Sequence, residues 1–354
     1  MSGLEELVEP LMAWYCVQKR SLPWRDQKNA YYTWVSEIML QQTRVEAVKP
    51  YFQRFMSELP NISALAECPE EKLLKLWEGL GYYNRVRNMQ KAAKKVMGKY
   101  SGRLPADYEL LKGLDGIGSY TAGAIASIAY GISVPAVDGN VLRVITRITR
   151  NDQDIMKQSV RRQIESELQS IIPRNNPGDF NQALMELGAV VCVPNGQAKC
   201  EKCPAAFLCQ AHACGQEMEF PRKAAKKPRT VQKKTILVIQ DGQRTAIRRR
   251  PKKGLLAGLY ELPNLEGWKT EGEVLQYVRD FGMTPLRIQK LGETKHIFSH
   301  VEWRMQGYQI RVAAIEEKMA EGLIFVERNK HADQYAIPSA FDFYAKYMKE
   351  EKRT

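Results

Sequence analysis

The chain has 354 residues, of which 44% are hydrophobic, with a formal charge of +13 and a pI near 9.3. That is enough apolar material for about two packed domains, and the cationic excess favours a polyanion such as nucleic acid as partner. No apolar run approaches the ~20 residues of a membrane-spanning helix, and MSGLEELVEPLMAWYC carries acidic residues where a signal peptide carries basic ones, which predicts a mature intracellular protein.

Residues 1–214 are expected to be helical almost throughout. EKLLKLWEGLGYYNRVRNMQKAAKKVMGKY spaces its apolar residues at helical intervals, and Pro60, Gly102, Pro105 and Pro135 punctuate the region. Within TWVSEIMLQQTRV, Glu37 stands among Trp34, Val35, Ile38, Met39 and Leu40. It is either on an exposed face or a buried acid. If buried, it loses hydration, its pKa rises, and it holds a proton near neutral pH. Gln41 lies one turn further on the same face and Gln42 follows. Two amides beside an acid suit base edges and strand contacts.

LKGLDGIGSYTA sets Gly116 and Gly118 between two helices. Glycines at such a corner permit close approach of a partner, and the second helix offers free N–H groups to an anion such as a DNA phosphate. An interhelical turn without a ligand fits the same residues, and the VDGN that follows some twenty residues later strengthens the binding reading. Asp138 precedes the apolar run NVLRVITRI, the position of a helix N-cap, where the positive end of the helix favours the ionised carboxylate. Asn140 lies in the first turn beyond it. One carboxylate kept protonated and another kept ionised is the division of labour used to cleave glycosidic bonds. Residues 1–211 contain no histidine; the four are His212, His296, His300 and His331. A Ser-His-Asp triad in the first domain is thereby excluded.

Of seven cysteines, five (Cys192, Cys200, Cys203, Cys209 and Cys214) crowd into 23 residues, unlike a disulfide scaffold. The first four read C-x7-C-x2-C-x5-C and suit zinc or a [4Fe–4S] cluster. Zinc sites usually show two C-x2-C knuckles, and here there is one. Lys199 and Lys202 in the same loop are candidates for phosphate contacts, and Cys214 lies outside the pattern.

After Cys214 the composition changes. GQEMEFPRKAAKKPRTVQKK is basic and proline-containing, as linkers are. KKTILVIQDGQRTAIRRR predicts two strands joined at Asp241-Gly242. A glycine-rich turn, a short amphipathic helix near 271–281 and strands near 287–292, 301–313 and 322–326 complete an α+β half.

SEIMLQQT, GLGYYNR, GIGSYTAGAI, VDGNV and ELGAVVC, in that order, resemble the adenine DNA glycosylases of the MutY type, over nearly the whole chain. The resemblance implies an all-α helix-hairpin-helix glycosylase domain over 1–214 with an iron–sulfur loop at 192–209. A basic linker at 215–231 and an α+β Nudix-like lesion-recognition domain at 232–354 would follow. It implies that Glu37 protonates a departing adenine, that Asp138 stabilises or transiently bonds the sugar cation, and that Tyr120 and Asn140 support them. Tyr82 would wedge into the base stack, Gln41 and Gln42 would line the space beside the lesion, and Cys192, Cys200, Cys203 and Cys209 would hold [4Fe–4S]. One departure is the first cysteine gap, seven residues here where the family usually has six. Another contrast concerns position 120. The related endonuclease III enzymes carry a Schiff-base lysine there, and Tyr120 cannot form that adduct, which implies a glycosylase without strand cleavage.

In the second domain LQYVRDFG stands where a Nudix hydrolase keeps its clustered carboxylates, which implies a binding module. Phe298, Ser299 and His300 stand where the family checks 8-oxoguanine; a serine hydroxyl accepts from the N7–H that guanine lacks. The implied partner is duplex DNA with adenine opposite 8-oxoguanine or guanine. A monomer is expected, cytoplasmic and at the nucleoid in a bacterium, handing its abasic product to downstream repair enzymes. The rivals are an endonuclease III-type lyase and a non-catalytic DNA-binding or redox-sensing protein.

Overall fold

The computed structural model describes residues 3–225, 228–242, 244–314, 322–327 and 334–348. The chain forms two compact units, Met1–Cys68 with Asn84–Ala225, and Pro69–Tyr83 with Lys226–Thr354.

The first unit is helical. Helix α1 (Val8–Gln18) is followed by α2 (Ala30–Leu40), whose N-cap Asn29 accepts the amides of Tyr31 and Tyr32 at 2.8 and 3.2 Å. At the other end Arg85 donates to the carbonyls of Ile38 and Gln41 at 2.6 and 2.7 Å, satisfying acceptors that a helix terminus leaves open. Then come α3 (Val45–Glu58), α4 (Ile62–Glu67), α6 (Asn84–Lys99) and α7 (Tyr108–Lys112), α5 being taken up below. Helix α8 (Ser119–Ala124) runs into a π-helical turn, Ile125–Ala129. Three longer helices close the unit: α9 (Gly139–Ile148), α10 (Gln158–Ile171) and α11 (Pro177–Val190). Leu4, Leu7, Leu11 and Tyr15 pack in one core with Val141, Ile145, Ile164, Leu184 and Leu187, and Cys209 of the cysteine loop joins it. The helical expectation for this region is met, and the loop is thus fastened to the core.

Among the described residues the second unit is built on a mixed sheet of seven strands, β1 (Thr230–Asp241), β2 (Arg244–Arg249), β3 (Tyr260–Glu261), β4 (Asn264–Glu266), β5 (Pro285–Ile297), β6 (Val301–Val312) and β7 (Ile324–Glu327), in the order β3-β2-β1-β6-β5, with β4 on β1 and β7 on β2. Strand β1 (Thr230–Asp241) turns at Gly242, φ 71°, into antiparallel β2 (Arg244–Arg249), as the Asp-Gly pair predicts. It runs parallel to β6 (Val301–Val312), from Thr230 opposite Val301 to Gln240 opposite Arg311, and β6 pairs antiparallel with β5 (Pro285–Ile297). The short strands are β3 (Tyr260–Glu261), β4 (Asn264–Glu266) and β7 (Ile324–Glu327), the last opening two residues later than expected. Alternate residues of β1 face two cores: Ile236 and Val238 one, Leu237 and Ile239 the other. Helix α12 (Glu271–Asp280) begins with a capping box in which Glu273 accepts from Thr270. That carboxylate, held down to about 2 by the Thr270 amide first and by Lys269 next, is committed to the cap.

Helix α5 (Glu70–Leu76) and the turn after it belong to this second unit. Glu78 accepts the Ile337 amide at 2.7 Å, Tyr260 donates to Glu71 at 3.1 Å, and Lys75 donates to the Tyr335 carbonyl at 3.3 Å. Such contacts join positions some 190 to 260 residues apart, which no local periodicity encodes.

Gly307 on β6 lies under the buried ring of Tyr344, and a Cβ there would come within 2.3 Å of that ring. Gly307→Ala is therefore expected to destabilise the protein by about 1–3 kcal/mol, the usual cost of overpacking. The urea midpoint reads this, and an unchanged midpoint would contradict it.

Candidate active site

Helix α2 buries Glu37 to 6% exposure, among the fully buried Trp34, Val35 and Met39. Tyr120, in the first turn of α8, donates its hydroxyl to the Glu37 carboxylate in a short contact. Loss of hydration raises the Glu37 carboxyl from 4.5 to about 7; the Tyr120 bond opposes this, the Asp138 charge adds to it, and Arg25 counters weakly. Tyr120 itself is pushed well above its ordinary value by burial and by the two carboxylates, so it is a donor at all ordinary pH.

Asp138 is the N-cap of α9, as its position in the sequence predicts. One oxygen accepts the Val141 amide at 2.8 Å and the other the side-chain amide of Asn140 at 2.7 Å. The sequence reading makes this carboxyl simply ionised. Here burial lifts it above its usual 3.8, against the pull of the Val141 and Asn140 bonds and of Arg143. Both carboxyls are raised, and they differ in the hydrogen bonds that favour the anion, which Asp138 has in greater number.

Asn140 is itself clamped. Arg143, 6% exposed, donates at 2.8 Å to the Asn140 oxygen, at 2.7 Å to the Gly188 carbonyl and at 2.8 Å to the Cys192 carbonyl. Gly188 lets α11 approach, because a Cβ there would meet the Asn140 Cβ at 2.6 Å. Sequence reasoning missed Arg143, although its spacing of three from Asn140 places it on the same helical face. It also missed Glu186, 1% exposed, which accepts from Arg20 at 2.5 Å and Arg25 at 2.8 Å. Burial raises Glu186, and the two arginines outweigh it and hold the carboxyl below its ordinary value. No local signal marks that triad. Arg20, Arg25, Trp24 and Gln182 line a cavity of 670 Å³.

Gln41, Gly118, Tyr120 and Arg161 share an open groove. Gln42 is exposed with φ 62°, an uncommon left-handed conformation. Gly116, φ 76°, needs its glycine twice, since a Cβ would also meet Asn88 at 2.7 Å. Gly118 caps α8 in extended backbone, with open space where a side chain would stand.

Cys192, Cys200, Cys203 and Cys209 face one pocket with Val144, Ile148, Leu187 and Val191, so the seven-residue gap does not keep them apart. Arg147 donates to the Cys192 sulfur at 3.2 Å. Burial pushes the Cys200 thiol up to about 12 and Cys203 to about 11. Four sulfurs on apolar walls are the donor set of an iron–sulfur or zinc centre. His212 and Glu217 stand beside Cys200, their ligand atoms within 4.8 Å, as further donors. Cys214 is exposed.

In the second unit Tyr82, φ 48° and half exposed, meets Ser299 through its hydroxyl at 2.9 Å. Phe298 packs edge-on against Trp303 and His296, while Ser299 and His300 are exposed at the β5–β6 turn.

Residues 35–170 match the HhH-GPD superfamily of base excision DNA repair proteins, and residues 235–346 match the NUDIX domain. The adenine DNA glycosylase of Mus musculus is 36% identical over 358 residues, covering 85% of this chain and 69% of that protein. The adenine DNA glycosylase of Buchnera aphidicola subsp. Baizongia pistaciae is 33% identical, covering 83% of this chain and 82% of that one. Among solved structures, a thermostable thymine-DNA glycosylase is similar with TM-score 0.53 and 26% identity, over 59% of this chain and 96% of that chain.

The raised Glu37 carboxyl has a thermodynamic consequence. The fold favours its protonated form, so its contribution to stability is complete below pH 4.5 and is lost as the pH rises through about 7. The loss is on the order of 3 kcal/mol, from a shift of about 2.5 pH units. Glu37→Gln, neutral throughout, is expected to melt increasingly above the wild type between pH 5 and pH 8. A melting-temperature difference that stays constant over that range would contradict the burial argument.

Proposed function

Because the chain belongs to the family of the adenine DNA glycosylases, we propose that it hydrolyses the N-glycosidic bond of adenine mispaired with 8-oxoguanine or guanine and does not cut the strand. The observation that carries this reading is the buried Glu37 carboxyl, raised to about 7 and bonded to Tyr120, in the same helical unit as the N-capping Asp138. A group with that pKa still holds a proton at neutral pH and donates it to the departing base. As the bond to the sugar breaks, positive charge develops on the ring. The Asp138 carboxylate, whose anion the Val141 and Asn140 bonds favour, faces that charge, and water completes the hydrolysis. Asn140 is oriented by Arg143, and Tyr120 holds the Glu37 carboxyl in place.

A base inside a duplex is out of reach of such a site, so the nucleotide must turn out of the stack. Tyr82, strained and exposed, suits a wedge into the space left behind. Its hydroxyl partner Ser299 suits the reading of the opposite base, with Phe298 and His300 beside it. Gln41 and Gln42 suit the strand next to the lesion, and the Gly116–Gly118 corner suits a phosphate. The +13 charge fits duplex DNA as the partner. Cys192, Cys200, Cys203 and Cys209 would hold a [4Fe–4S] cluster, which supplies structural fastening and one-electron chemistry when bound. As a functional division we propose a cleaving half over 1–214 and a lesion-checking half over 232–354, joined by 215–231, with 69–83 packing in the second unit. The abasic product calls for a further enzyme that processes abasic sites.

Single-turnover release of adenine from labelled duplexes carrying adenine opposite 8-oxoguanine, guanine or thymine tests the reading. Breakage only after hot alkali, fastest opposite 8-oxoguanine, is the expected result, with Glu37→Gln retaining DNA binding and losing most of the activity. Strand breakage without alkali, with a borohydride-trapped adduct in high yield, would assign lyase chemistry instead. No abasic product on any duplex would leave a DNA-binding protein.

A further inference from the structure

Between Tyr120 and Asp138 the chain passes through the π-helical turn and an irregular stretch that reaches the cap of α9. That stretch forms no regular structure of its own, yet it sets where Asp138 stands relative to the Tyr120–Glu37 pair. Asn181 of α11 holds it. This side chain is fully buried. Its oxygen accepts the Ala136 amide at 3.0 Å, and its nitrogen donates to the Val134 carbonyl at 2.9 Å and to the Ser127 hydroxyl at 2.8 Å. Ala136 lies two residues before Asp138, and Ser127 lies inside the π turn.

Two glycines make the same knot from backbone. Gly123 is on α8, one turn beyond Tyr120, and a Cβ there would fall 2.3 Å from the Pro135 carbonyl oxygen. Gly178 is on α11, and a Cβ there would fall 2.7 Å from both the Ile128 Cα and the Ser127 carbonyl oxygen. The helix that carries Tyr120 thus rests directly on the segment that carries Asp138, and α11 closes over both. Elements in backbone contact have no flexible side chain to take up a shift, so displacement of one is passed to the other.

We propose that Asn181 is a positioning residue, which together with the Gly123–Pro135 contact fixes the separation between the Tyr120–Glu37 pair and Asp138. The proposal rests on the roles assigned above to Glu37 and Asp138. The side chain touches neither substrate nor reacting atoms and acts through residues 134–136. An amide is suited to the place because it must accept from one neighbour and donate to two others at once. A carboxylate of the same shape keeps the Ala136 bond and sets an oxygen against the Val134 carbonyl.

Asn181→Asp is the test, with Gly123→Ala as the second variant should the first fail to fold. Each is measured for binding to duplex DNA bearing a non-cleavable adenine analogue and for the single-turnover rate of base release across pH. The expected result is intact binding with release slowed about 10- to 100-fold, the usual effect of a misplaced reacting group. The midpoint of the pH–rate profile is also expected to move, because it reports the Glu37 carboxyl, which the neighbouring Asp138 charge raises to a degree set by their separation. A general loss of stability would not move that midpoint. If the folded variants release base at the wild-type rate, or if the rate falls with the profile unmoved, the positioning role is overturned. If the wild type releases no base, the assignment of Glu37 and Asp138 falls first, and the proposal with it.

Discussion

Glu37 is held out of water by the apolar residues around it on α2, and much of the first unit is arranged around the consequence. A carboxyl group so placed must either find a cation or keep its proton. Arg25, the cation that acts on it, is bonded to Glu186 at 2.8 Å. What Glu37 receives instead is a neutral donor, Tyr120, and a neighbouring anion, Asp138. The result is an acid that titrates near neutrality. Arg25 therefore lowers the Glu37 carboxyl only weakly, and burial prevails.

The same region ties Asp138 to the cysteine loop. Asp138 accepts from Asn140, Asn140 accepts from Arg143, and Arg143 also donates to the Cys192 carbonyl. One turn on, Arg147 reaches the Cys192 sulfur. Each bond in the chain is buried or partly buried, where an orphaned donor is costly, so the parts hold their geometry together or lose it together. Gly188 serves this by letting α11 meet α9 at backbone distance, and Gly123 by letting α8 meet the segment at Pro135.

The parts of this site that could be read from the sequence are those marked by local contrast. Glu37 stands out because it breaks an apolar helical run, Asp138 because an acid before such a run is a cap, and the cysteines because their spacing is dense. The Asp241-Gly242 turn and the α+β character of the second half are legible for the same reason. Asn181 and Glu186 carry no such mark: on α11 they read as ordinary polar residues, and their partners lie 45 and 166 residues away. Nor does the sequence tell that 69–83 packs with the second unit, since the glutamates and lysine of α5 find their partners only in the folded chain. Even the correct placement of Asp138 left its electrostatics half seen, because an N-cap is visible in a sequence and the depth of burial is not.

The central claim is that a protonated Glu37 drives base release. Its most direct test is the single-turnover rate on adenine opposite 8-oxoguanine, measured with saturating enzyme from pH 5.5 to pH 9.5. A rate that declines above a midpoint near 7, about tenfold per pH unit thereafter, is expected as the Glu37 proton is lost. A rate that holds level from pH 6 to pH 9, on protein that stays folded and bound, would contradict it and remove Glu37 from the role of proton donor.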